Sequence, residues 1–151
     1  MHGRIVIPIH NEHGELVAYA GRSIDGSEPR YKLPAGFHKS LELFNLHRVS
    51  EEKEEGSVVV VEGFFDCMRV AAAGFSCVAL MGCSLSEDQE RLLLRQFTNI
   101  TLLMDGDTAG REAGDAIGQR LVHKVYVRVI DLPDGSQPDQ LAVDVIDRML
   151  K

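Results

Sequence analysis

The sequence lacks any long apolar run: none approaches the ~20 residues a helix needs to span a bilayer. Its first ten residues, MHGRIVIPIH, carry no apolar stretch ending in a small-residue cleavage site. A soluble, cytoplasmic protein without membrane association is expected. Cysteine is scarce: Cys67, Cys77 and Cys83 form an odd set without a CxxC pair. That pattern argues against a disulfide framework and a structural zinc site, and leaves three ordinary buried thiols as the expectation. The six histidines show no pair at metal-binding spacing. MGCSLS is not a GxSxG elbow and GDTAG is neither a Walker A loop nor a GxGxxG fingerprint. No nucleophile, ATPase loop or Rossmann-type dinucleotide site is therefore assigned.

Positive charge is also short. Sixteen Lys and Arg face 23 Asp and Glu, a net charge of −7, which is a poor overall balance for gripping a nucleic acid backbone. The distribution is uneven: residues 1–50 hold six basic and five acidic side chains, and residues 58–151 hold nine and fourteen. Between them EEKEEG (51–56) offers charge followed by glycine, a candidate boundary between a lobe at 1–56 and a domain at 57–151.

RIVIPI (4–9) and LVAYAGR (16–22) are β-prone runs separated by NEHGE, whose Asn11 and Gly14 favour a turn, so a hairpin is predicted. A loop to Lys39 follows, with a short strand at 31–33, and then one or two helical turns in LELFNLH (41–47). From Ser57 strand and helix alternate. SVVVVEG, CVALMG, NITLLMDGD and KVYVRVIDLP read as strands, and FFDCMRVAAAG, SEDQERLLLRQF, TAGREAGDAIGQRLV and QPDQLAVDVIDRMLK as helices, with Ser86 as a cap. The alternation implies right-handed crossovers. The fold class is α/β, a mostly parallel sheet with helices on both faces, preceded by a small β-rich lobe.

In such sheets the functional crevice lies beyond the carboxyl ends of the strands. Glu62 directly follows the first valine strand, and Asp105 and Asp107 directly follow the third strand across Gly106, which permits a sharp turn. Asp66, four residues after Glu62, can face the same space, and Asp139 beside Pro138 begins the last helix on the same edge. Any one of these is ordinary as a helix cap or first-turn acid. Glu62, Asp66, Asp105 and Asp107 together, at the ends of two apolar strands, favour a hard-oxygen site for Mg²⁺ or Mn²⁺ and phosphoryl-transfer chemistry, while Asp139 reads either as a first-turn acid or as a further ligand. Asp134 with Gly135 reads as a turn and nothing more. Gly106, Gly110, Gly114 and Gly118 recur every four residues. They suit close helix–sheet packing, with the first freeing backbone N–H groups for phosphate.

The strand ending in Glu-Gly (VVVVEGFFD), followed by a strand ending in DxD (LLMDGDTAGREAG), resembles the TOPRIM signature shared by DnaG-type primases, topoisomerases and some nucleases. RIVIPIHNEHGELVAYAGR, PRYKLP, FHKSLELFNLH, VVVEGFFDCMRVAAAGF, ALMGCSLSEDQ, LMDGDTAGREA and LPDGSQPDQL occur in the order of a DnaG-type primase catalytic core, over nearly the whole chain. The resemblance implies a Rossmann-like TOPRIM fold and a Mg²⁺-dependent (or Mn²⁺-dependent) nucleotidyltransferase synthesising RNA primers in DNA replication. Glu62, Asp105 and Asp107 would be catalytic metal ligands, with Asp66 and Asp139 completing the metal site. Arg22, Arg30, Tyr31, Lys32 and Lys39 would hold ribonucleoside triphosphates and single-stranded DNA template. Of the six histidines only His38, beside Lys39, is placed near that cleft by its position in the sequence, and a neutral loop histidine is the preferred reading of it. A replicative helicase or other primase domains of a parent protein are the implied partners.

The chain departs from the pattern at Gln137, where the primase motif has an acid, so one ligand or supporting contact is missing. No upstream zinc module and no downstream helicase-binding region is evident. The alternatives are a TOPRIM nuclease using water on the same metals, and a non-catalytic nucleic-acid-binding remnant. No strand-cleaving tyrosine context supports an autonomous topoisomerase.

Overall fold

The computed structural model describes residues 3–51 and 56–151, without the side chains of 50 and 51. Most of the EEKEEG segment expected at the boundary lies outside the described residues. Strands β1 (Arg4–His10) and β2 (Leu16–Ser23) form the predicted antiparallel hairpin, and β3 (Tyr31–Lys32) pairs with the end of β2. The turn closes because Asn11 Oδ1 accepts from the backbone N–H groups of His13 and Glu15, while Gly14 adopts a φ of 80° that a side chain would resist.

The second sheet holds β4 (Ser57–Val61), β5 (Cys77–Ala79), β6 (Asn99–Leu102) and β7 (Tyr126–Val129) in the order β5-β4-β6-β7, all parallel. Its centre is β4, where the run of valines alternates between two cores as a period of two requires. Val58 and Val60 pack with Leu93, Ile100, Ile117 and Leu121, under helices α3 (Glu87–Gln96) and α4 (Thr108–Leu121). Val59 and Val61 pack with Cys67, Val70, Leu132 and Ile146, under α2 (Phe64–Ala72) and α5 (Val143–Leu150). A third cluster, Ile7, Ile9, Ala18 and Ala20 with Phe64 and Met81, joins the hairpin to the sheet edge.

Several boundaries differ from expectation. Residues 41–47 are not one helical stretch: a 3-10 turn covers Lys39–Leu41, Phe44 bridges Ala79, and α1 starts only at Leu46, running to Glu51. Edge pairing to β5 draws Phe44 into extended backbone. This sends Leu43, Leu46 and Val49 into the sheet core. The closing helix also begins late, at Val143, because Asp139 belongs to a separate 3-10 turn, Pro138–Gln140. Cys67 and Cys77 are buried as expected, but Cys83 is exposed in the turn after β5.

Ser86 caps α3 as predicted, in a reciprocal box with Gln89. Gln89 does more. Its side chain is buried, and Nε2 donates to the carbonyls of Glu42 (2.9 Å), Leu80 (3.0 Å) and Lys39 (3.3 Å), tying residues 39–42 to the end of β5. Leucine at this position would leave carbonyls unpaired in the core. Gln89→Leu is expected to lower stability by about 2–4 kcal/mol in denaturant unfolding, against about 1 kcal/mol for Ser86→Ala. A near-neutral Gln89→Leu would show that water or a neighbour replaces these bonds.

Candidate functional site

Glu62 and Asp105 leave the ends of neighbouring parallel strands and meet through one hydrogen bond, the Asp105 N–H donating to Glu62 Oε1 at 3.1 Å. The N-terminus of α4 presses on this pair. A Cβ at Gly110 would stand 2.2 Å from the Asp105 carbonyl and 2.9 Å from Glu62 Oε1. Asp107 caps α4 by accepting from Gly110 N–H at 2.7 Å. Gly106 is needed for space, since a Cβ would meet the Pro133 carbonyl at 2.2 Å, and its φ is not in the left-handed region. Its N–H is not free for phosphate as expected, because it donates to the Ser136 carbonyl at 2.8 Å. Gly114 and Gly118 pack the rest of α4 against Met104, Val129 and Leu102, as the small-residue stripe implied.

The loop after β7 brings in the remaining acids. Asp66, buried in the first turn of α2, accepts from Gly63 N–H (3.1 Å) and Asp139 N–H (3.0 Å). Gln137 Nε2 donates to Asp105 Oδ2 at 3.1 Å, so the residue expected as a missing ligand is a donor to one of the acids. Asp134, read as a turn former only, also pairs with Arg111 at 2.5 Å.

Opposite these carboxylates stands a basic wall from the hairpin lobe. The two sides enclose a cleft of about 310 Å³ lined by Arg22, Arg30, Tyr31 and Lys39 and by Glu62, Asp66, Asp105, Gln137 and Asp139. Arg22 is held by three contacts: Nη1 donates to the Tyr31 hydroxyl at 2.7 Å, and the guanidinium lies 4.3 Å from the Phe65 ring centre and 5.4 Å from that of Tyr31. Lys39 Nζ donates to the Met81 carbonyl at 2.8 Å. Lys32 does not join this wall. It follows Tyr31 in β3, and strand alternation points it to the other, exposed face. His38 and Asp107 are likewise exposed and do not line the cleft. Phe65 has no signal in the sequence beyond following Glu62-Gly63 in the first turn of a helix.

The acids raise one another's proton affinity. Burial, followed by the charges of Glu62, Asp66, Asp107 and Asp139, pushes Asp105 from 3.8 to about 7. Burial also raises Glu62, against the Asp105 N–H bond, and raises Asp66, against its own N–H bonds. Asp105 Oδ1 and Asp139 Oδ1 are buried without a hydrogen-bond partner. Unpaired hard oxygens in a field of negative charge fit a divalent cation. Among the described residues no three His, Cys, Asp or Glu side chains are grouped closely enough to enclose an ion by themselves. This arrangement fits a hard divalent cation that completes its shell with water and phosphate oxygens.

Comparison with known proteins agrees with this architecture. Residues 59–142 match the Toprim-like family, and residues 1–50 match the N-terminal domain of the DNA primase catalytic core. A Staphylococcus aureus DNA primase is 38% identical over 144 residues, covering 91% of this chain and 24% of that protein. The zinc-binding and RNA polymerase domains of the Aquifex aeolicus primase superpose with a TM-score of 0.85 at 34% identity, covering 98% of this chain and 40% of that one. A DnaG primase catalytic domain bound to single-stranded DNA also gives a TM-score of 0.85, at 28% identity, covering 98% and 51%. The chain thus spans about a quarter of the curated relatives it matches. Among the described residues no helix is long and apolar enough to cross a membrane.

The raised Asp105 carboxyl has a measurable consequence. The folded state keeps a proton that the unfolded chain releases, so this group's stability contribution, full below about pH 4, is lost as the pH rises through about 7. Asp105→Asn is expected to raise the stability of the metal-free protein at pH 8 by about 1–2 kcal/mol, a fraction of the full linkage value because water reaches the carboxyl. The gain shrinks at pH 5. A variant destabilised equally at both values would contradict this electrostatic account.

Proposed function

The chain belongs to the Toprim-like family and is built like the catalytic core of DnaG-type DNA primases, and on that premise we propose that it carries the nucleotidyl-transfer centre of an RNA-primer-synthesising enzyme. Toprim primase domains depend on metal, and we assign Mg²⁺, or Mn²⁺, as the ion here. The observation that carries the proposal is the single cleft in which Arg22, Arg30 and Lys39 face Glu62, Asp66, Asp105 and Asp139. Such a cleft can grip phosphates from both sides, through direct positive charge on one wall and through carboxylate-held cation on the other.

Glu62 and Asp105 are assigned to the cation, with Asp66 and Asp139 completing the acidic site; Asp107, exposed at the start of α4 outside the cleft lining but close enough for its charge to raise Asp105, is assigned to the same cation from the rim. A bound divalent ion there supplies charge neutralisation on the triphosphate and a more acidic attacking 3′-hydroxyl. Arg22, braced by Tyr31 and Phe65, is suited to hold a phosphate in fixed orientation, because little side-chain freedom remains to be lost on binding. Lys39 is assigned to the same phosphates. Lys32, on the outer face of β3, is assigned to the flank of a template strand rather than to the cleft.

The proposed substrates are single-stranded DNA template and ribonucleoside triphosphates, and the proposed setting is cytoplasmic DNA replication beside a helicase or further primase domains. The two sheets support a division into an N-terminal β-rich lobe, residues 1–56, whose Arg22, Arg30 and Lys39 give the cleft its basic side, and a metal-binding domain, residues 57–151. Glu62→Gln is expected to reduce primer synthesis on single-stranded DNA at least a hundredfold while leaving thermal unfolding cooperative. Wild-type rates in that variant would remove Glu62 from the centre, and metal-dependent cleavage without nucleotide incorporation by the wild type would favour a nuclease.

A further inference from the structure

Ion selectivity at a carboxylate depends on how many of its oxygens are free. Ca²⁺ takes six to eight oxygens and readily uses both atoms of one carboxylate, whereas Mg²⁺ and Mn²⁺ favour six-coordinate shells with single-oxygen contacts. Asp105 has one oxygen of each kind. Oδ2 accepts from Gln137 Nε2, and Oδ1 is buried without a partner. An Asp105 that holds a cation is ionised and can only accept, so in that state the amide must present its nitrogen and not its oxygen to Asp105.

Gln137 is itself anchored. Its N–H donates to Gln140 Oε1 at 3.2 Å, closing the 3-10 turn whose Pro138 is buried. The same loop is laced to the DGD segment by Gly106 N–H to the Ser136 carbonyl and Gly135 N–H to the Gly106 carbonyl, both at 2.8 Å. The amide therefore meets Asp105 from a fixed platform.

Building on the metal assignment above, we propose that Gln137 is a positioning residue that occupies Asp105 Oδ2, limits Asp105 to single-oxygen coordination through Oδ1, and so selects Mg²⁺ or Mn²⁺ over Ca²⁺. An acid in place of Gln137 would add an acceptor and release Oδ2. A non-donating side chain would release Oδ2 alone. Either change opens the site to the larger ion.

The test is displacement of Mn²⁺ by Ca²⁺ in the presence of a ribonucleoside triphosphate, followed by the electron paramagnetic resonance signal of free Mn²⁺, with a protein-free control for metal held by the nucleotide itself. Wild type, Gln137→Leu and Gln137→Glu are compared, with thermal unfolding as a check that each is folded. The expected result is Mn²⁺ held against excess Ca²⁺ by the wild type, and displacement requiring roughly tenfold less Ca²⁺ relative to Mn²⁺ in both variants. A merely structural role would weaken both ions together and leave their ratio unchanged. That outcome, or equal competition by Ca²⁺ in the wild type, overturns the proposal while leaving the metal assignment intact. Absence of Mn²⁺ binding by the wild type overturns both.

Discussion

At the turn after β6 there is no room for a side chain. The Asp105 carbonyl lies where a Cβ of residue 110 would be, and the Pro133 carbonyl lies where a Cβ of residue 106 would be. These two contacts let the N-terminus of α4 and the loop after β7 close on the ends of β4 and β6 at once. The acids at 62, 66, 105 and 139 then share one cleft although they are far apart in the chain. Any side chain at 106 or 110 would push the loop or the helix away, and the acidic wall would separate into unrelated surface residues.

Holding those acids together costs stability in the absence of a cation, as the Asp105 carboxyl near 7 records. Part of the strain is relieved by backbone N–H groups: Asp105 N–H serves Glu62, Gly63 and Asp139 N–H groups serve Asp66, and Gly110 N–H serves Asp107. At longer range Arg30 offsets part of the rise that burial gives Asp66, while Asp105 and Glu62 stay raised. The cations of the basic wall are held as well, Arg22 by Tyr31 and Phe65, and Lys39 by the Met81 carbonyl. Both walls are thus ordered before anything binds, which lowers the entropic cost of gripping a flexible triphosphate or strand.

Much of this was legible in the residues. Four consecutive valines, flanked by alternating strand and helix patterns, can be read as a strand buried on both faces, and the acids at 62 and 105 follow from the rule that crevices lie at the carboxyl ends of parallel strands. What escaped was set by contacts distant in sequence. Which face Tyr31 and Lys32 present depends on register with β2, so Lys32 was expected in the cleft and lies outside it. Residues 41–47 have helical composition, yet Phe44 pairs with Ala79. The need for glycine at 106 comes from Pro133, on a loop whose path no local pattern specifies. Gln137 looked like a lost ligand because its partner, Asp105, stands 32 residues away.

The most direct measurement is Mn²⁺ binding in the presence of a ribonucleoside triphosphate, read as bound metal, in the wild-type chain and in an Asp105→Asn/Asp107→Asn double variant. Nucleotide belongs in the titration because a site without three converging protein ligands draws part of its coordination shell from phosphate. The account predicts protein-dependent Mn²⁺ binding that the double variant loses. Equal binding by both proteins, or none by either, would contradict it and leave the cleft as a nucleic-acid-binding surface without a metal centre.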